Sequence, residues 1–285
     1  MGGRERGKLR LAAADDDAAP NPGQPDKPFY TLDTKNLFGF LEGADVGEKG
    51  DRSVEFETTG SFGRPQGLYD SIEQEFIFES TLTDSLGLEL GAHLLGQDVQ
   101  RVSGLPGFVG VNFMGLSAEF RYALIHWTAN LPIQVTLTAQ PEWDAVGDAG
   151  QQIVDYNATF RAIADVVSAD RRLYGAVNIV YTPDGSRFPG QFWQDSAILA
   201  ASAALSYRLT PPLMFGAEAD YDKAYRGLAL QGFRGQALYF GPTFHYQINE
   251  KIDVSAAFLA QAPAGRLDLD DFPRQLAKLR LEVEF

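Results

Sequence analysis

From Val54 to Phe285, apolar and polar side chains alternate with a period of two in one segment after another. Successive side chains of a strand point to opposite faces, so each segment has one apolar and one polar face. The last segment is the cleanest: Ala277, Leu279, Leu281, Val283 and Phe285 alternate with Lys278, Arg280, Glu282 and Glu284. The first sets Val54, Phe56 and Phe62 against Glu55, Glu57 and Ser61. Between them the pattern predicts ten more strands, over 72–79, 86–94, 113–122, 133–143, 154–165, 173–182, 196–208, 213–221, 238–248 and 252–261. Within 113–122, Met114, Leu116, Ala118, Phe120 and Tyr122 take the apolar face and Phe113, Gly115, Ser117, Glu119 and Arg121 the other.

Twelve strands of about 9–11 residues each have the length that crosses a bilayer at a tilt. Thr83–Ser85, Asp170–Arg171, Thr210–Pro212 and Asn249–Glu250 predict tight turns. Longer loops are expected over Asp144–Gln151, Pro183–Asp195, Asp222–Gly235 and Gln261–Pro273. Turns and loops alternate along the chain, so each kind falls at its own end of the sheet. No charge falls on the apolar faces, whereas the opposite faces carry fifteen acidic and six basic residues. A charge facing lipid at mid-membrane costs about 2–4 kcal/mol, so its exclusion fits burial in a bilayer. Aromatic residues cluster at strand ends: Phe78, Tyr122, Tyr207, Tyr246 and Phe285 at one end, and Phe62, Trp143, Tyr156, Tyr181 and Tyr221 at the other. Two such bands match the two membrane interfaces.

This strand pattern over Val54–Phe285, closed by a strand ending in Phe, resembles the bacterial outer-membrane β-barrels. The resemblance is architectural and covers residues 54–285. It implies an all-β fold, a transmembrane antiparallel up-and-down barrel of twelve strands, porin-like. It also implies a place in the bacterial outer membrane with both termini periplasmic. The expected partners are outer-membrane lipid, small solutes and the insertion machinery that reads the carboxy-terminal strand.

Residues 1–29 read as a disordered leader, rich in Ala, Pro and Asp from Ala13 to Pro28. Arg4, Arg6, Lys8 and Arg10 look like the basic flank of a signal peptide, but the apolar run Leu11–Ala14 is far shorter than a signal core. Residues 30–53 contain Asn36-Leu-Phe-Gly-Phe-Leu-Glu-Gly43 and read as a periplasmic linker or as a plug tucked into the barrel.

Composition narrows the function. The net charge of −14 disfavours nucleic acid, which needs a basic footprint. The absence of cysteine removes thiolate chemistry, no metal-ligand spacing stands out, and no cofactor is expected. Of the three histidines, parity turns His93 and His245 inward and puts His126 in a turn. No Ser–His–acid set falls on the outer face, so an enzyme is not expected. A lipid-modifying enzyme stays as the third reading, with Asp220 and Asp222 near the rim.

The candidate site is the lumen. Its lining is expected to include Glu55, Glu57, Glu73, Glu75, Glu89, His93, Glu119, Arg121, Asp155, Arg161, Arg172, Arg208, Glu218, Asp220, His245, Lys278, Arg280 and Glu282. One expectation is a channel for small solutes, cation-leaning because acids exceed bases. In it, the arginines and Lys278 form a basic ladder facing the glutamates at 55, 57, 73, 75 and 89. The other is a closed structural or interaction barrel, sealed by salt bridges or by residues 30–53, since buried charges need partners.

Overall fold

The computed structural model describes residues 33–64, 66–128, 131–262 and 272–285. The leader expected over 1–29 lies outside the described residues, as does most of the last loop. The chain forms β1 (Arg52–Phe62), β2 (Leu68–Thr83), β3 (Leu86–Gln100), β4 (Phe108–Ile125), β5 (Ile133–Val146) and β6 (Gln152–Val167). It continues with β7 (Leu173–Arg187), β8 (Gln194–Thr210), β9 (Leu213–Arg226), β10 (Phe233–Asn249), β11 (Ile252–Gln261) and β12 (Gln275–Glu284). Each strand pairs antiparallel with its sequence neighbour, and β1 pairs with β12 to close the ring. The chain is a twelve-strand antiparallel up-and-down barrel, and closure leaves no sheet edge unpaired.

The outer surface inverts that of a water-soluble protein. Phe56, Phe76, Leu90, Leu116, Phe120, Leu137, Phe160, Val177, Ile179, Leu205, Phe240 and Leu279 are exposed. Glu55, Glu119, Arg121, Glu218, Arg280 and Glu282 are buried inside. Apolar side chains toward the solvent and charges toward the interior suit a surface that faces lipid. Tyr122, Tyr207, Tyr246 and Phe285 stay exposed at the end that carries both barrel termini, and Tyr156 at the loop end.

Three details depart from the sequence pattern. Most strands run longer than expected: β7 reaches Arg187 and β8 starts at Gln194, so the loop expected over 183–195 shrinks to 188–193. Cross-strand contacts hold these extensions, including Ser196 Oγ donating to Asp184 at 2.7 Å and the Tyr225–Phe233 ring pair at 5.9 Å. Second, the β3–β4 register shifts between His93 and Leu94, which face Gly115 and Phe113. An extra residue in one strand reverses the parity beyond it. Phe113 is therefore 47% exposed on the outer face rather than inward, followed by Val111 at 73%. Third, β1 begins at Arg52, two residues before the expected start.

Residues 33–46 lie inside the ring. Their bonds reach β1, β4, β6, β9 and β12, strands on all sides of the barrel. Leu37, Phe38 and Leu41 pack against Val167, Tyr174, Ala176, Ala204 and Met214, where the inner wall is apolar. Phe40 packs against Tyr239, Leu259 and Phe272. Gly39 permits this close approach: a Cβ there would stand 2.2 Å from that of Ala257. A Cβ on Gly43 would stand 1.9 Å from the Thr34 carbonyl oxygen. The two glycines of the Phe38–Gly43 stretch thus let a folded-back segment fit the interior.

Candidate functional site

In the half of the lumen nearest the barrel termini, buried cations meet carboxylates from several strands. Arg121 on β4 is 2% exposed. It lies 2.5 Å from Glu42 and 2.8 Å from Glu119, and donates to the Gly43 carbonyl at 2.8 Å. Arg161 on β6 reaches the other oxygen of Glu119 at 2.6 Å and also lies 3.5 Å from Glu42. Arg280 on β12 lies 2.8 Å from Glu55 and 2.7 Å from Glu57, and Lys278 lies 2.7 Å from Glu57. Lys35, from the inner segment, pairs with Glu79 and lies 2.8 Å from Glu89. A charge taken out of water is tolerated only when its partners are in place, and here all but the Arg121–Glu119 pair join different stretches of chain.

Backbone groups of the inner segment are met in the same way. Glu218 accepts from the Phe40 and Leu41 amides, at 2.9 and 2.5 Å. Asp165 accepts from Thr34 Oγ1 at 2.6 Å, the Ala44 amide at 2.9 Å and Trp127 Nε1 at 2.9 Å. Thr136 and Gln134 donate to the Ala44 carbonyl. Burial opposes ionisation of Glu42, but the nearby charges of Arg161, Arg121 and Lys35 outweigh it and hold its carboxyl well below the usual range.

At this level the interior holds a cavity of about 80 Å³, lined among others by Lys35, Glu42, Glu57, Glu119, Arg161 and Arg280. That space takes a few water molecules.

The remaining candidates are placed differently. Glu73, Glu75 and His93 form a separate group farther toward the loops, with His93 Nδ1 2.7 Å from Glu73 and Nε2 3.2 Å from Glu75. Ligand atoms of the three lie within 4.8 Å of one another. Pairing of β2 with β3 brings them together, so no spacing along the chain announces it. Asp220 accepts from Ser202 at 2.7 Å, and Asp155 lies in the same loop-side half. His245 is buried on the inner face of β10, and Glu282 accepts from Asn36 at 2.7 Å.

Two expectations need correction. Arg172 does not line the lumen: it is exposed in the connection just before β7. Its parity looked inward, but the strand has not yet begun there. Nor do the bases form one ladder: Arg208 donates to the Tyr174 hydroxyl at 2.9 Å, and the others divide among the clusters above. One further contact had no signal in the sequence. Ser85 Oγ lies 2.8 Å from His126 Nε2, between two turns of the terminal end. Among the described residues no carboxylate bonds the other ring nitrogen, so the orienting member of a triad is not supplied.

Solved structures share this fold. The COG4313 outer membrane channel from Pseudomonas putida F1 is 12% identical, with a TM-score of 0.54, covering 85% of this chain and 98% of that one. The NanC porin is 8% identical, with a TM-score of 0.50, covering 82% and 100%. The β domain of the Bordetella autotransporter BrkA is 9% identical, with a TM-score of 0.51, covering 84% and 100%. No curated protein matches the chain by sequence. The fold is that of the bacterial outer-membrane barrels, and over residues 30–285 the chain belongs to DUF6662, a family of unknown function.

Proposed function

We propose that this protein is an outer-membrane channel for small solutes, with a preference for cations, held closed by residues 33–46. The observation that carries the reading is the combination of an apolar outer wall with an acid-rich interior that is bridged by a segment outside the β-ladder. A wall of carboxylates raises the local concentration of cations and opposes anions. The segment rests on side-chain bonds and packing, so it can leave without breaking the barrel's backbone pairing. The fold likeness to a porin and to an outer-membrane channel agrees with this reading. In it, both barrel termini face the periplasm, outer-membrane lipid surrounds the belt, and the insertion machinery reads β12 and Phe285.

Conductance in a planar bilayer tests the proposal. The full chain is expected to conduct in rare, small events, and a variant lacking residues 33–46 to conduct steadily with cation selectivity. Heat-dependent mobility on denaturing gels shows whether each variant is a folded barrel. A folded deletion variant that does not conduct would refute the channel. It would favour the second reading, a closed barrel that binds a partner, which the paired charges around Arg121 and Arg280 support.

A further inference from the structure

We infer that Arg208 and Tyr174 form a binding site for the carboxylate group of a small solute, on the inner wall at the end of the barrel that carries its termini. Both face inward near the ends of their strands. Tyr174 is the second residue of β7, and Arg208 lies two residues before the end of β8. Tyr174 stands opposite Ser206, the inward neighbour of Arg208 on the same strand. Arg208 therefore meets the phenol from the next rung, its Nη2 donating to the Tyr174 hydroxyl at 2.9 Å. The Arg208 amide donates to the Arg172 carbonyl at 2.8 Å, which sets the residue beside the turn that leads into β7.

Two features point to a missing anion. Arg208 is 8% exposed, yet among the described residues no carboxylate pairs with it. The inward bases Lys35, Arg121, Arg161, Lys278 and Arg280 each have one. A buried cation with no counter-charge is strongly destabilising, and an anion removes that cost. The Tyr174 ring, centred 5.4 Å from the guanidinium, eases the charge without balancing it. The second feature is a set of donors without acceptors. Arg208 Nε is buried and has no hydrogen-bond partner. The Tyr174 hydroxyl accepts from Arg208 and keeps its own proton to give. Arg171, in the turn before β7, also has a buried nitrogen, Nη1, with no partner, and its charge acts on the same hydroxyl as that of Arg208. Asp170 of that turn bonds Ser168 and the Arg172 amide instead of either guanidinium. A carboxylate answers this set. One of its oxygens accepts from Arg208 Nε and the other from the Tyr174 hydroxyl, and the charges balance.

Two sources can supply the carboxylate: a free solute, or an aspartate of residues 1–29 such as Asp15, Asp16 or Asp17. The site does not depend on whether the barrel conducts, so it is tested by binding in detergent, in buffer free of other carboxylates. Fluoroacetate is titrated into the full-length protein and into a variant lacking residues 1–29, and followed by its fluorine resonance line width. Saturable broadening with both chains, reversed by acetate and not by the neutral acetamide, assigns the site to a solute. Saturable broadening with the shortened chain alone assigns it to the aspartates of residues 1–29. In the chain that binds, Arg208→Gln is expected to weaken binding about tenfold or more, and Tyr174→Phe about threefold. Arg172→Gln, exposed in the same connection, should leave it unchanged. Heat-dependent mobility establishes that each variant is folded. Saturable binding by neither chain, or equal binding by folded Arg208→Gln, would overturn the site. Should Arg208→Gln not fold, equal binding by Tyr174→Phe and Arg172→Gln overturns it instead.

Discussion

Toward the termini of the barrel, the inward carboxylates of Glu55, Glu57, Glu79, Glu89 and Glu119 each have a lysine or arginine beside them. Toward the loops three acids have neutral partners instead: Ser196 for Asp184, Ser202 for Asp220 and Asn157 for Asp144. Both halves are rich in acid and built on the same alternating strands. In the first half these five acids meet fixed cations, three of them arginines, while Asp165, Glu218 and Glu282 accept from neutral donors of or beside the inner segment. In the second, Asp184, Asp220 and Asp144 meet hydroxyl and amide groups, which do not cancel a negative charge. The same residue type thus meets a fixed charge at one level of the barrel and a neutral dipole at another.

Arg121→Ala should strike this contrast hardest. It leaves Glu42 and Glu119 buried with weakened compensation, a loss of about 3–5 kcal/mol. The unfolding midpoint in detergent should fall, and conductance should rise toward that of the variant lacking residues 33–46. A midpoint equal to that of the unaltered protein would mean that the sealed half is not held by charge. Gly39→Ala sharpens the same point through packing. Its methyl would collide with Ala257 and displace the inner segment, at about 1–3 kcal/mol. Faster hydrogen exchange at the Phe40 and Leu41 amides, with the strand amides unchanged, is the expected readout. Asp155→Asn with Asp184→Asn should do least to stability, within about 0.5 kcal/mol. In the variant lacking residues 33–46, the pair should lower cation preference, measured as a smaller reversal potential in a salt gradient. An unchanged reversal potential would remove the loop-side half from any role in selection.

The strand number and the direction of most side chains could be read from the sequence, because lipid and lumen impose opposite chemistry on alternate residues. Seam neighbours were legible as well: closing a ring of twelve puts Lys278 and Arg280 beside Glu55 and Glu57. Legibility failed where that opposition lapses. Beyond the membrane both faces meet water, so Asp184 to Ser186 looked like loop although they are paired with β8. A single extra residue near Gly115 moved Phe113 to the outer face, and no residue type marks that insertion. The parity of Arg172 was sound, but its strand starts one residue later. The route of residues 33–46 left only a weak trace, a pair of glycines among apolar residues. Its partners Asp165 and Glu218 lie 121 and 178 positions away from Ala44 and Phe40, beyond the reach of any local pattern.

Asn36 ties the inner segment to both edges of the barrel seam. Its side-chain amide donates to Glu55 on β1 at 2.9 Å and to Glu282 on β12 at 2.7 Å. Those are the first and last strands, which the chain must bring together from opposite ends to finish the ring. Contacts this distant in sequence form late, after most of the loop-closure entropy has been lost. A residue that grips both edges works as a latch at the seam, fastened from inside. A barrel open at the seam offers Asn36 only one of its two acceptors, so this residue is fully bonded only once the ring has closed.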